Sequence, residues 1–166
     1  MIEFRMAGLK DFPAVSRIMR DAVSRMLCAG RSQWDESYPA DTHIYDDIVS
    51  GCGYVLESDA AIAAYGAVVF DGEPAYDSIE GEWLSDSSYV AVHRMAVAER
   101  VLGRGFGAMF MHAVENFAAD RGIGAFRIDT NYDNAEMLRL LDRCGFEQCG
   151  IIHYPKGERI AFEKLI

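Results

Sequence analysis

The residues of this chain with the most evident chemistry are Gly103, Gly105 and Gly107, set two apart in the run VAERVLGRGFGA at 97–108. Glycines so spaced leave main-chain N–H groups uncovered. The apolar periodic run behind them reads as a helix whose N-terminal end adds positive potential. Both properties suit an anionic pyrophosphate. Residues Tyr89–Val97 (YVAVHRMAV) just upstream read as a strand, so the order is strand, glycine loop, helix. That order predicts a cradle for a phosphorylated cofactor. A Walker loop is excluded, because Gly105 is followed by Phe106 where that loop needs Lys and a hydroxyl. A dinucleotide fingerprint needs Gly-x-Gly-x-x-Gly early in a βαβ unit. Here the spacing differs and the loop falls past mid-chain, although Asp129 stands at a suitable distance downstream.

His93 is the titratable side chain of greatest interest. It precedes Met95 by two, which on a regular strand puts both side chains on one face. Imidazole, with a reference pKa of about 6.5, can take a proton at neutral pH directly or through water. The alternative is a structural histidine bonded within the sheet. His112 falls on the polar side of its helix, and His43 and His153 lie near element ends. In the segment 33–39 (QWDESYP), Trp34, Asp35, Glu36 and Tyr38 combine aromatic faces with carboxylates, a set that suits an organic cation. Glu80 and Glu82, in a long acidic stretch at 71–88, are candidates to join them. The alternative is that Trp34 staples two helices together and the carboxylates are solvated.

The elements that must position these groups follow from periodicity. Ile2–Met6 reads as a strand, and Asp11 with Pro13 opens a helix. Val15, Ile18, Met19, Ala22, Val23, Met26 and Leu27 give that helix one apolar face, ending near Gly30. Asp41 or Thr42 caps a second helix that runs to Val49. A hairpin of strands at 54–57 and 61–70 comes next. After the glycine loop, Phe106, Met109, Phe110, Ala113, Val114, Phe117 and Ala118 recur at helical period. A strand at 126–130, then a helix lined by Met137, Leu138, Leu140, Leu141 and Cys144, follow. Strands at 147–154 and 160–165 close the chain as an antiparallel pair. A helix between strands 89–97 and 126–130 makes a parallel crossover, so the class is α/β with a mixed sheet.

Composition agrees. A chain of 166 residues, 51% hydrophobic, suffices for one core, and a single domain over 1–166 is expected. The net charge of -10 argues against nucleic acid as a partner. It suits a cationic substrate such as an amine, and equally serves solubility. No run approaches the ~20 apolar residues of a membrane span, and the N-terminus lacks a signal-peptide pattern. The four cysteines, Cys28, Cys52, Cys144 and Cys149, have neither CxxC pairing nor His-ligand spacing. Free thiols in a reducing cytoplasm and no metal site are therefore expected.

Taken in order, HRMAV, LGRGFGAMF, a helix to Arg121, FRIDT and NAEMLRLLDRCGFEQCG resemble the core of the GNAT (Gcn5-related N-acetyltransferase) superfamily. Gly103, Arg104, Gly105 and Gly107 match its glycine loop, and Asn134, Gly145 and Phe146 match its Asn-led helix ending in Gly-Phe. Leu102 departs from the Gln or Arg usual there. The resemblance implies a central mixed β-sheet of six to seven strands flanked by about four helices. It also implies acetyl-CoA as cofactor. Main-chain groups of Met95, Ala96 and Val97 would line the pantetheine, and Leu102, Gly103, Arg104, Gly105, Phe106, Gly107 and Ala108 the pyrophosphate. Asn134 would hydrogen-bond the pantetheine, with Arg143 near the 3′-phosphate. The arylalkylamine N-acetyltransferases resemble this chain at His93, where they carry a base histidine. Trp34, Tyr38 and Glu82 would border the acceptor amine. Where many members carry a tyrosine ahead of Gly-Phe to protonate the departing thiolate, this chain has Leu141, leaving Tyr132 and Tyr154 as the nearest phenols. The implied activity is acetyl transfer to a primary amine of a small molecule, in the cytoplasm, with room for a homodimer and no membrane partner. A protein N-terminal or lysine acetyltransferase and a non-catalytic acyl-CoA sensor stand as alternatives.

Overall fold

The computed structural model describes residues 1–70 and 72–166. Its elements are β1 (Ile2–Met6), α1 (Phe12–Cys28), α2 (Asp41–Val49), β2 (Gly53–Ser58), β3 (Ala61–Val69) and β4 (Glu80–Gly81). They continue with β5 (Tyr89–Val97), α3 (Phe106–Ala119), β6 (Ala125–Thr130), α4 (Ala135–Arg143), β7 (Glu147–Tyr154) and β8 (Gly157–Leu165). The strands hydrogen-bond as one eight-stranded sheet in the order β1-β2-β3-β5-β6-β8-β7-β4. β5 and β6 run parallel, while β1–β2, β2–β3, β6–β8, β7–β8 and β4–β7 are antiparallel. The mixed α/β class stands, but the strand number exceeds the expected six to seven. The extra strand is β4, two residues paired to β7 within the acidic stretch at 71–88. Asp71, the first residue of that stretch, lies outside the described residues.

The chain divides into two compact units, one of Met1–Val68 with His93–Ala113, the other of Val69–Val92 with Val114–Ile166. In the first, β2 and β3 turn through Asp59 and Ala60, both at positive φ, the conformation a two-residue hairpin needs. Val15, Ile18, Met19, Ala22 and Val23 of α1 are buried, as their spacing requires. Leu27 is not: the apolar face ends one turn early and Leu27 is exposed. α2 starts without a side-chain cap from Asp41 or Thr42. Instead Ala40 is the N-cap, and His43 Nδ1 accepts its N–H at 2.9 Å. Asp41 is committed elsewhere, accepting a short hydrogen bond from the buried Ser16 hydroxyl of α1.

In the second unit, β6 pairs with β8 along its whole length, from Ala125↔Leu165 to Thr130↔Ile160. The stretch after Asp71 is not a loose loop. Tyr76, buried in a one-turn 3-10 segment at Pro74–Ser78, packs with Ala91, Ile152 and Ala161, and Trp83 packs against that cluster. Trp83 Nε1 donates to the Tyr76 carbonyl at 3.0 Å. The parallel register of β5 on β6 pairs Tyr89 with Ala125, Val90 with Phe126 and Ala91 with Arg127, and among the described residues goes no further.

Candidate active site

The glycine loop is built by what precedes it. β5 ends at Val97, and a 3-10 turn at Glu99–Val101 drops the buried Val101 inward. The loop then climbs through Gly103 at φ 72° and Gly105 at φ 84°, both exposed. Those angles are strained for any residue with a Cβ. A Cβ built on either glycine would meet nothing within 4 Å, so the space in front of the main chain is open. Phe106, 6% exposed, anchors the start of α3, whose first internal bond runs from Met109 N–H to the Gly105 carbonyl. The N–H groups of Phe106, Gly107 and Ala108 therefore stand in the first turn without helical acceptors. An open glycine turn ahead of a 14-residue helix fits a diphosphate held by main-chain amides. Leu102, Gly103 and Arg104 lie on the exposed side of the turn, and the Arg104 N–H is taken by the Val101 carbonyl at 3.2 Å.

β5 itself is irregular at its middle. Arg94 sits at φ 53°, which breaks the two-residue alternation expected to align His93 with Met95. His93 is half-buried, whereas Met95 and Ala96 are buried. The bend is fixed by charge. Arg94 Nε and Nη2 donate to Asp47 Oδ2 and Oδ1 of α2 at 2.8 and 2.6 Å. Nη1 donates to the Tyr38 hydroxyl at 3.0 Å, and the buried Tyr65 hydroxyl donates to Asp47 Oδ2 at 2.8 Å. Burial opposes the Arg94 charge, but the bonds to Asp47 outweigh it and raise its pKa above the usual arginine value. Burial first, and the Asp47 charge second, push the Tyr65 phenol far above its usual value, so it serves as a neutral donor. At the strand's end, the Val97 carbonyl accepts from Arg25 of α1 at 3.2 Å.

Trp34 is 7% exposed, so it packs inside the first unit rather than presenting its face. Tyr38 meets Arg94 through its hydroxyl, and its ring lies 4.8 Å from that of His43. Asp35 turns back on its own loop, accepting from the Ser37 and Tyr38 N–H groups. In the second unit, Glu82 is exposed, its N–H bonded to the Cys149 carbonyl at 3.2 Å. Asn134 caps α4, its Oδ1 accepting from Met137 N–H at 3.3 Å. Leu141 is fully buried. Of the two nearest phenols, Tyr132 is 74% exposed, and Tyr154 donates to Asp129 Oδ2 at 2.8 Å.

The sequence pattern of the acetyltransferase (GNAT) family matches residues 19–146. The chain belongs to this family. A GNAT-family acetyltransferase from Streptococcus agalactiae 2603 is 30% identical, with a TM-score of 0.90 over 99% of this chain and 95% of that one. The ribosomal-protein-S18-alanine N-acetyltransferase of Escherichia coli, at 15% identity, shares the fold with a TM-score of 0.68 over 100% and 94% of the two chains. An agmatine N-acetyltransferase, 16% identical, does so with a TM-score of 0.69 over 99% of each. No curated protein sequence matches the chain. Among the described residues this GNAT protein has no cluster of groups fit to hold a metal ion. None of its described helices is long and apolar enough to cross a membrane.

Two groupings escape pattern reading. One is Asp47, Tyr65 and Arg94 with Tyr38, whose sequence signal is an arginine next to His93 in a largely apolar strand. The other is Asp129 with Tyr76 and Tyr154, three residues from three separate segments.

Proposed function

We propose that this GNAT protein is an N-acetyltransferase that transfers an acetyl group from acetyl-CoA to a primary amine of a small molecule. The open glycine turn ahead of α3 carries the reading, since Gly103 and Gly105 adopt the left-handed backbone with free space before them. Coenzyme A supplies the acetyl group as a thioester, whose C–S bond breaks as the amine nitrogen bonds to the carbonyl carbon. Main-chain amides of Phe106, Gly107 and Ala108, in the first turn of α3, hold its diphosphate. Main-chain groups of Met95 and Ala96 align the arm. The nitrogen must shed a proton as it becomes an amide, and His93 takes it. With Leu141 in place of a donor, the departing sulfur draws its proton from water.

A net charge of -10 and the carboxylates at Glu36 and Glu82 support an amine as acceptor. Structures that share this fold include an agmatine N-acetyltransferase and a ribosomal-protein-S18-alanine N-acetyltransferase. The small-molecule reading is favoured by the loop at 33–39, which folds back on itself through Asp35. Four free cysteines support a reducing compartment, the cytoplasm. The test is thiol release from acetyl-CoA over a panel of small amines and N-terminal peptides. Amine-stimulated release supports the reading. Heat on titrating coenzyme A without release by any acceptor would leave a sensor, and no heat at all would remove the cofactor assignment.

A further inference from the structure

Among the described residues, three that are not glycine hold a positive φ. Asp59 and Ala60 make a hairpin turn, where such angles belong. Arg94, at 53°, lies inside β5. There the angle is a kink, and glycine would adopt it with the least strain. The chain keeps a long charged side chain instead. Its guanidinium is 19% exposed and the Asp47 carboxylate 9%, so both charges are largely withdrawn from water. Apolar side chains of similar size in place of such a pair are often neutral or stabilising. Stability alone therefore explains neither the angle nor the pair.

What the pair supplies is direction. Asp47 of α2 accepts from Nε and Nη2 together, at 2.8 and 2.6 Å, a two-pronged bond that fixes the guanidinium plane. The Tyr65 hydroxyl of β3, itself buried, donates to Asp47 Oδ2 at 2.8 Å and holds the carboxylate in turn. The far end of the Arg94 side chain is thus fastened to two elements, and the kink lies at its near end. That kink falls between His93 and Met95. In the reading above, His93 takes the proton of the amine, and main-chain groups of Met95 and Ala96 align the thioester arm. The rotation at Arg94 sets how the first stands to the other two. Backbone strain held in place by surrounding bonds is a device for such pre-organisation.

We infer that Arg94 is a positioning residue: held by Asp47, it keeps the kink that aims the His93 imidazole at the nitrogen attacking the thioester. Arg94 acts through His93 and neither gives nor takes a proton in the reaction. This inference rests on the acetyltransferase reading and adds to it the group that orients the base.

The experiment replaces the pair with apolar side chains, Asp47→Leu with Arg94→Met, in the full chain and again in a His93→Ala background. Thiol release from acetyl-CoA is followed with n-butylamine, phenethylamine and agmatine as acceptors. Coenzyme A affinity is read by calorimetry and stability by urea midpoint. The apolar pair is expected to keep a midpoint at or above that of the wild type and coenzyme A affinity within about twofold. Its kcat should fall by about thirtyfold. In the His93→Ala background the same replacement should cost less than about twofold, since no base is left to aim. A wild-type kcat in the apolar pair overturns the inference while the acetyltransferase reading stands. So does an equal loss in both backgrounds, or a loss of coenzyme A affinity that parallels kcat. Should the apolar pair fail to fold, Arg94→Lys takes its place in the same cycle, as it keeps the charge and loses the two-pronged bond. A kcat at least about fivefold lower, again only where His93 is present, then supports positioning, and a wild-type kcat overturns it. No release by the wild type with any of the three amines, with coenzyme A still bound, removes the acetyltransferase reading and this inference together.

Discussion

Arg94 holds a backbone angle that strands avoid, and two partners, Asp47 and Tyr38, fix its side chain there. Asp47 takes two of its N–H donors, Tyr38 a third, and Tyr65 fills the remaining lone pair on Asp47 Oδ2. Truncating Asp47 to Ala would leave a guanidinium with 19% side-chain exposure and no counter-charge. The expected loss of stability is about 3–5 kcal/mol, read by urea denaturation, and Asp47→Asn should cost less because it keeps an acceptor. Next to Arg94, His93 has the chemistry of a base but no regular strand geometry to aim it. His93→Ala should lower kcat/KM by about a hundredfold without weakening coenzyme A. A base must be neutral to act, so the wild type should lose activity toward acid. That acidic limb should vanish in the variant. A wild-type pH profile in His93→Ala would remove the assignment. His93 was visible in the sequence because an imidazole in an apolar strand stands out. Asp47 and Asp129 were not, since a carboxylate in a polar helix or at a strand end is ordinary until its partners are placed beside it.

Elements were far more legible. β1, β5 and β7 have the bounds their alternation gave, because strand period and flanking turn residues are local properties. Errors arose where tertiary contacts decide. Met109 recurs at helical period yet is 40% exposed, while Met111 takes the interior place. β4 has no local signal at all. It exists because Gly81 and Gly150 let two backbones approach so closely that a Cβ on either would collide with the other strand. The glycine turn was legible for the opposite reason, as its angles admit little else. Gly105→Ala tests what the turn is for. A Cβ there meets open space, so only the φ of 84° is strained, at about 1 kcal/mol, and the fold should tolerate it. Coenzyme A approaching the same amides would meet the new methyl group. The expected result is at least about tenfold weaker coenzyme A binding by calorimetry with little change in the urea midpoint. Unchanged affinity would show that the diphosphate lies elsewhere.

Acidity is the property the whole molecule shares, with a net charge of -10 and an isoelectric point near 4.8. Much of that charge is solvated, but part of it is structural, and the two parts respond differently to acid. Arg5 of β1 ties three segments together, donating to Asp11 at 2.8 and 3.0 Å and to Glu57 of β2 at 2.6 Å. The Arg5 guanidinium, helped by the Gly8 N–H, holds the Asp11 carboxyl below its ordinary value against the opposing effect of burial. A carboxyl whose pKa is lower in the folded chain binds fewer protons there than when unfolded. Its contribution is therefore complete above the unfolded value of about 3.9 and is lost as pH falls through the folded one. Asp11→Asn removes this linkage while keeping the side chain's shape. The variant should be less stable than wild type at neutral pH by about 1–2 kcal/mol, since the pair is partly solvated. The gap should close below about pH 4, where the wild type loses the same interaction by protonation. Urea midpoints for both chains from pH 7 to pH 3 measure it. Parallel curves over that range would mean that Arg5 is held by Glu57 alone, and that β1 is fastened to the sheet without help from the segment that opens α1.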